Sequence, residues 1–138
     1  MEIKTAFLKA LNSIYNSLPI LLGVILLVSL SNVLIPKEFY LTIFRGNLLI
    51  DSLIGSALGS VLAGNPITSY ILGGEMLNQG VNLIVVTSFM VAWVTVGIVQ
   101  LPAESVLLGK KFAIYRNISA FIFSIAVSIV TYLLVMAI

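Results

Sequence analysis

The sequence predicts an all-α integral membrane protein, and three observations predict it. Of its 138 residues, 60% are hydrophobic and 9% are charged, whereas a soluble domain carries roughly a quarter charged residues. The few charges cluster at residues 2–9, 37–51 and 104–116, with Glu75 alone between them. The intervening stretches 18–35, 81–101 and 117–138 carry no charge, and at 1.5 Å per residue each reaches about 27 Å or more, enough to cross a bilayer.

Residues 1–17 read MEIKTAFLKALNSIYNS. Ile3, Phe7, Leu11 and Ile14, with Leu18, share a helical face that excludes Lys4 and Lys9. The segment is either an amphipathic helix in the interface or a helical extension of the first span. It does not read as a cleaved signal: the apolar run is too long and no small-residue cleavage site follows. Residues 18–35 form the first span. Residues 36–47 mix Lys37, Glu38 and Arg45 with Phe39, Tyr40 and Phe44, a composition suited to headgroup level.

Residues 48–79 are apolar but badly built for one plain span. Ser52, Ser56 and Ser60 recur every four residues, as do Gly55, Gly59 and Ala63. That spacing lets another backbone approach closely. Gly64-Asn65-Pro66 then interrupts the run. Pro66 disfavours helical geometry at Asn65 and suits the first turn of a new helix. Two half-helices meeting at a break are expected, and broken helices of this kind build transporter substrate sites. Two topologies fit. In one, the halves form a re-entrant hairpin; in the other, the first half crosses and the second lies on the far side. The hairpin places Lys4, Lys9, Lys110, Lys111 and Arg116 opposite Lys37 and Arg45; the crossing places Lys110, Lys111 and Arg116 with Lys37 and Arg45 opposite Lys4 and Lys9. Both are five against two, so the positive-inside rule does not choose. Length favours the hairpin, because neither half spans comfortably. Residues 81–101 and 117–138 supply two more spans, giving three to four in all, and Lys110, Lys111 and Arg116 form a basic loop between them. Ala120, Ser124 and Ser128 form a second close-packing face.

The composition excludes much chemistry. With no Cys and no His, thiolate or imidazole metal sites and Ser-His or Cys-His nucleophile pairs are ruled out. No metal, no cofactor and no enzyme activity are expected. A basic patch with interleaved aromatics is also missing, which sets nucleic acid aside. Candidate polar positions in or beside apolar stretches are Asp51, Asn65 with Pro66 and Thr68, Glu75 with Asn78 and Gln79, and Gln100 with Glu104. Asp51 reads as a helix-start acid, favourable to the dipole. Glu75 is a buried functional acid or a plain loop residue; Glu104 is the same or the first-turn acid of an interfacial helix. A half-helix beginning at Pro66 would offer free amides to a polar solute.

Three motifs, LAGNPITSY at 62–70, AWVTVGIVQLPAE at 92–104 and LGKKFAIYR at 108–116, resemble the predicted permease family of prokaryotes that includes the organoarsenical efflux permeases. The resemblance extends over residues 48–138. It implies a multi-span permease of two related halves, and this chain is about the size of one half. Some members carry a cysteine near the broken-helix motif; this chain has none, which argues against soft-metal substrates.

The expected function is therefore a half-size permease of the cell membrane. It would embed in the lipid bilayer and homo-oligomerise around a pathway for a small solute, as a dimer or higher oligomer in which an antiparallel pair would mimic an inverted repeat. Asn65, Pro66, Thr68, Glu75, Gln100 and Glu104 are the expected solute-binding residues. Gly55, Gly59, Ser124 and Ser128 are the expected helix-packing residues. The alternative is a non-transporting scaffold subunit that assembles with a larger partner. A membrane enzyme using a Glu75–Glu104 acid pair is the weakest reading, since no nucleophile accompanies the pair.

Overall fold

A computed structural model of the chain describes residues 3–34, 42–44, 46–62 and 66–138. Among these residues the protein is all-α, with six helices and no strand. Contacts divide the chain into two units, residues 1–36 and 37–138.

The first unit contains one helix, α1 (Ile3–Leu34), which is continuous through Pro19. The amphipathic stretch and the apolar stretch after it are thus one helix. Ser17 Oγ donates to the Ser13 carbonyl at 2.9 Å.

The second unit holds α2 (Leu48–Val61), α3 (Pro66–Asn78), α4 (Leu83–Thr95), α5 (Leu101–Leu108) and α6 (Lys110–Ala137). The ends of α2 are fixed locally. Asn47 Oδ1 accepts from the Leu49 and Ile50 amides at 3.1 and 3.2 Å. Asp51 in the first turn accepts from the Gly46 amide at 2.8 Å, the dipole-favourable role expected of it. Asn82 caps α4 in the same way, accepting from Ile84 N at 3.2 Å. Asn82→Ala is expected to lower stability by about 0.5–2 kcal/mol, the usual loss for such a cap, and a thermal melt against wild type reads it.

Two expected segments differ from those found. The helix expected over 81–101 ends at Thr95. Val96 is extended (φ −98, ψ 114), residues 98–100 form a turn, and Pro102 lies in the first turn of α5, where its missing amide costs nothing. At 13 residues α4 is about 20 Å long. Conversely, the basic loop expected at 110–116 is helical. Gly109, at φ +91, ends α5, and nothing after it breaks the helix, so Lys110, Lys111 and Arg116 occupy the first turns of α6.

Helix α4 is the centre of this unit, and α2, α3 and α6 all pack on it. Ile84, Val85, Val86, Phe89, Ala92 and Trp93 are buried, and Phe89 meets Trp93 edge to face at 5.2 Å. The contacts fix directions. Gly55 faces Val85 and Ser88, and Gly59 faces Phe89 and Trp93, so α2 runs parallel to α4. Gly73 of α3 faces Val86 and Met90, while Met76 packs on the cluster of Val81, Ile84, Val85 and Val86, so α3 runs antiparallel. Helix α6 is also antiparallel, with Asn117 at Gly97 and Ile129 and Tyr132 at the Val81–Val86 end. Helices α2 and α3 therefore run in opposite directions, as the two legs of a hairpin do.

Candidate functional site

The small residues of α2 form its buried face. Buried in α2 are Asp51, Ser52, Gly55, Ser56, Gly59 and Ser60. A Cβ on Gly55 would run into Ser88 Oγ and lie 2.6 Å from the Val85 carbonyl oxygen; one on Gly59 would strike the Phe89 carbonyl and lie 3.1 Å from Trp93 N. Backbone therefore packs on backbone, which only glycine permits. On the other side, Ser124 and Ser128 of α6 are buried, and Ser124 Oγ shares a 2.8 Å hydrogen bond with Ser56 Oγ. The buried hydroxyls are satisfied within their own helices: Ser52, Ser60, Ser88 and Ser128 each donate to the carbonyl three residues earlier, at 2.8–3.0 Å.

The expected solute residues fall into two groups. The first follows the break after α2, with Glu75 set apart nine residues beyond Pro66, at the other end of α3. Asn65 lies outside the described residues. Pro66 is the first residue of α3 and is exposed. Thr68 is buried in the first turn, and Ser69 Oγ donates to the Pro66 carbonyl at 2.7 Å. Glu75 is a helical, half-buried residue of α3 and not a loop residue; it accepts from Gln79 Nε2 at 3.1 Å. Between α3 and α4 lies an open cleft of about 370 Å³ lined by Ser69, Tyr70, Thr87, Met90, Val91, Val94 and Thr95. Thr87 and Thr95 donate to the Leu83 and Val91 carbonyls, so the cleft turns hydroxyl lone pairs, rather than free donors, towards a guest.

The second group surrounds the break after α4. Gln100 is exposed, and its side chain lies against Gly97. Its carbonyl accepts from the Glu104 amide at 3.0 Å. Glu104 stands in the first turn of α5, as one of the two readings expected, but it also enters a network. One carboxylate oxygen pairs with Arg116; the other accepts from Asn117 Nδ2 at 3.1 Å. Asn117 also donates to the Ala113 carbonyl at 2.9 Å and accepts from the Gly97 amide at 2.7 Å. One buried amide thus ties the end of α4 to α5 and α6.

Asn117 and Arg116 were missed in the sequence. Asn117 reads there as the start of an apolar span and Arg116 as a loop charge. The available signal was a lone amide one helical turn after Ala113 and beside a cation. Two buried polar atoms, Trp93 Nε1 and Ser105 Oγ, have no hydrogen-bond partner among the described residues, which is uncommon for buried groups. No group of three or more acidic residues able to hold a metal ion occurs among the described residues.

Compared with family models, curated proteins and solved structures, the chain matches none.

Proposed function

We propose that this protein is a half-size permease subunit of the cell membrane, which homo-oligomerises to enclose a pathway for a small solute. Two observations support the reading, one for the membrane and one for transport.

Placement in a bilayer is supported by inside-out patterning. In α2 the buried face is Asp51, serine and glycine, whereas Leu49, Leu53 and Val61 are 65, 52 and 61% exposed. In α6 the buried residues are Ala113, Asn117, Ser124 and Ser128, with Ile122, Phe123 and Leu134 outward. Water would favour the reverse; lipid tails accept an apolar exterior and leave small residues to pack inside. Helix α6 is the one described helix long and apolar enough to cross a membrane, and 11% of its most apolar window is buried, unlike the core helix of a water-soluble domain. The shorter helices would complete the fold as partial spans, with α2 and α3 as a re-entrant hairpin.

Transport is carried by the second break. An ordinary connector needs no buried clamp, yet Asn117 and Glu104 hold residues 96–104 against α6. Irregular backbone at membrane depth is tolerated where protein or a water-filled cavity satisfies it, and interrupted helices of this kind line substrate sites. Thr68, Gln100 and Glu104, with Asn65 and Pro66 at the first break, are the proposed lining. The resemblance to the permease family points the same way. Because Gly55, Gly59, Ser124 and Ser128 pack within the chain, a scaffold would need other faces for its partner.

Purified protein in mild detergent is expected to give dimers or higher oligomers by native mass spectrometry. In proteoliposomes, Asn65→Cys and Gln100→Cys are expected to react with a small hydrophilic thiol reagent, a clean experiment in a chain with no native cysteine. A monomer in which both positions resist the reagent overturns the permease reading in favour of the scaffold.

A further inference from the structure

The two breaks resemble each other in more than their prolines. Residues 47–73 and 82–109 align with one extra residue in the second break: Asn47 with Asn82, Leu48 with Leu83, Ala57 with Ala92, Val61 with Val96, Pro66 with Pro102, Ser69 with Ser105, Leu72 with Leu108 and Gly73 with Gly109. Ser52 and Ser60 fall opposite Thr87 and Thr95. The structures follow the alignment to within one residue. Each copy opens with an asparagine cap, continues for 14 or 13 helical residues and ends in an extended residue, Leu62 (φ −81, ψ 136) or Val96 (φ −98, ψ 114). Each then restarts as a helix with proline in its first turn.

We infer that residues 47–73 and 82–109 are two copies of one broken-helix unit whose first legs, α2 and α4, pack side by side in the same direction, whose second legs pack differently, α3 on α4 and α5 on α6, and that the second break is the counterpart of the first in lining the pathway. This rests on the permease reading for its functional half. The packing sets the level: Gly59, three residues before Leu62, abuts Trp93, three residues before Val96. Both helices therefore end at one end of the bundle. The copies diverge in their second legs. In the first copy that leg is α3, which continues through Gly73 to Asn78, whereas α5 stops at Gly109 and hands over to α6. Asn117, beyond the repeat, is the positioning residue that holds the second break through the Gly97 amide.

Nitroxide labels and thiol reagents test the two halves separately. With labels at Leu62→Cys and Ile98→Cys in detergent, strong dipolar broadening is expected. With labels at Leu49→Cys and Ile98→Cys, about 20 Å further along α2, little is expected. Absent broadening in the first pair, or equal broadening in both, overturns the side-by-side repeat. In vesicles, the same Leu62→Cys and Ile98→Cys positions are expected to react with a hydrophilic thiol reagent at similar rates. Phe123→Cys on the outer face of α6 should react about tenfold slower or less, because the bilayer core holds no water. Ile98→Cys as inert as Phe123→Cys overturns the counterpart role even where the broadening stands. Asn117→Ser is expected to raise the reaction rate at Ile98→Cys and leave that at Leu62→Cys unchanged; equal changes at both sites overturn the positioning role. None of these measurements needs solute flux, so a chain that transports nothing fails the permease reading alone.

Discussion

Gly59→Leu is expected to abolish folded protein, and Gly59→Ala to destabilise it by about 1–3 kcal/mol or more, the range for overpacking a filled core. The reason is the identity of the neighbour. A Cβ at this position meets the Phe89 carbonyl and the Trp93 amide, and main chain in the middle of a helix cannot swing aside as a side chain can. Gly55 is nearly as constrained, with the Val85 carbonyl oxygen at 2.6 Å. Gly73 supplies the contrast. Its nearest neighbours are the Met90 side chain and Val86 Cγ1, and the flexible thioether can rotate away. Gly73→Ala is expected to melt close to wild type. Thermal unfolding in detergent for the three alanine variants checks this order, and a Gly59→Ala melt equal to that of Gly73→Ala would show that α2 and α4 are not in backbone contact.

Asn117→Leu is expected to be the most damaging single change outside the glycines. It leaves the Gly97 amide and a Glu104 oxygen without their partner, and an unsatisfied buried group costs about 1–3 kcal/mol. The break at 96–100 also loses its tie to α6. Asn117→Asp tests the chemistry separately from the shape: it still accepts from Gly97 but sets a carboxylate against Glu104, and it is expected to fall between wild type and leucine. Glu104→Gln keeps an acceptor for Asn117 while removing the ion pair with Arg116. That pair is partly exposed, Arg116 by 37%, so its loss is expected to matter less than that of Asn117. Limited proteolysis near residues 98–100, together with melting temperature, reads all three; equal cleavage in wild type and Asn117→Leu would show that the clamp does not hold the break.

The periodicity of α2 was legible because a four-residue repeat of serine and glycine has only one helical interpretation, a close-packed face. The restart at Pro66 was legible for the same local reason, since proline is cheap only where a helix begins. The second interruption was hidden. Residues 81–101 contain no charge and only one glycine, Gly97, so composition read them as one span. Extended backbone at Val96 is a tertiary choice: it is compensated by an amide arriving from a helix twenty residues later. Glu104 illustrates the limit from the other side. Its place in a first turn came from Pro102, whereas its partners, Arg116 and Asn117, lie twelve and thirteen residues on and meet it only because α6 folds back.

What the sequence by itself determined is helix, apolar exterior, close-packing faces and the Pro66 restart, because each depends on neighbours within one or two turns. Tertiary structure alone decided that the small faces serve α2, α4 and α6 of one chain, that α2 and α4 run parallel, and that Asn117 closes the second break. Direction and partner choice arise from contacts between segments far apart in the chain, where backbone meets backbone at Gly55 and Gly59 and a single amide satisfies three elements at once.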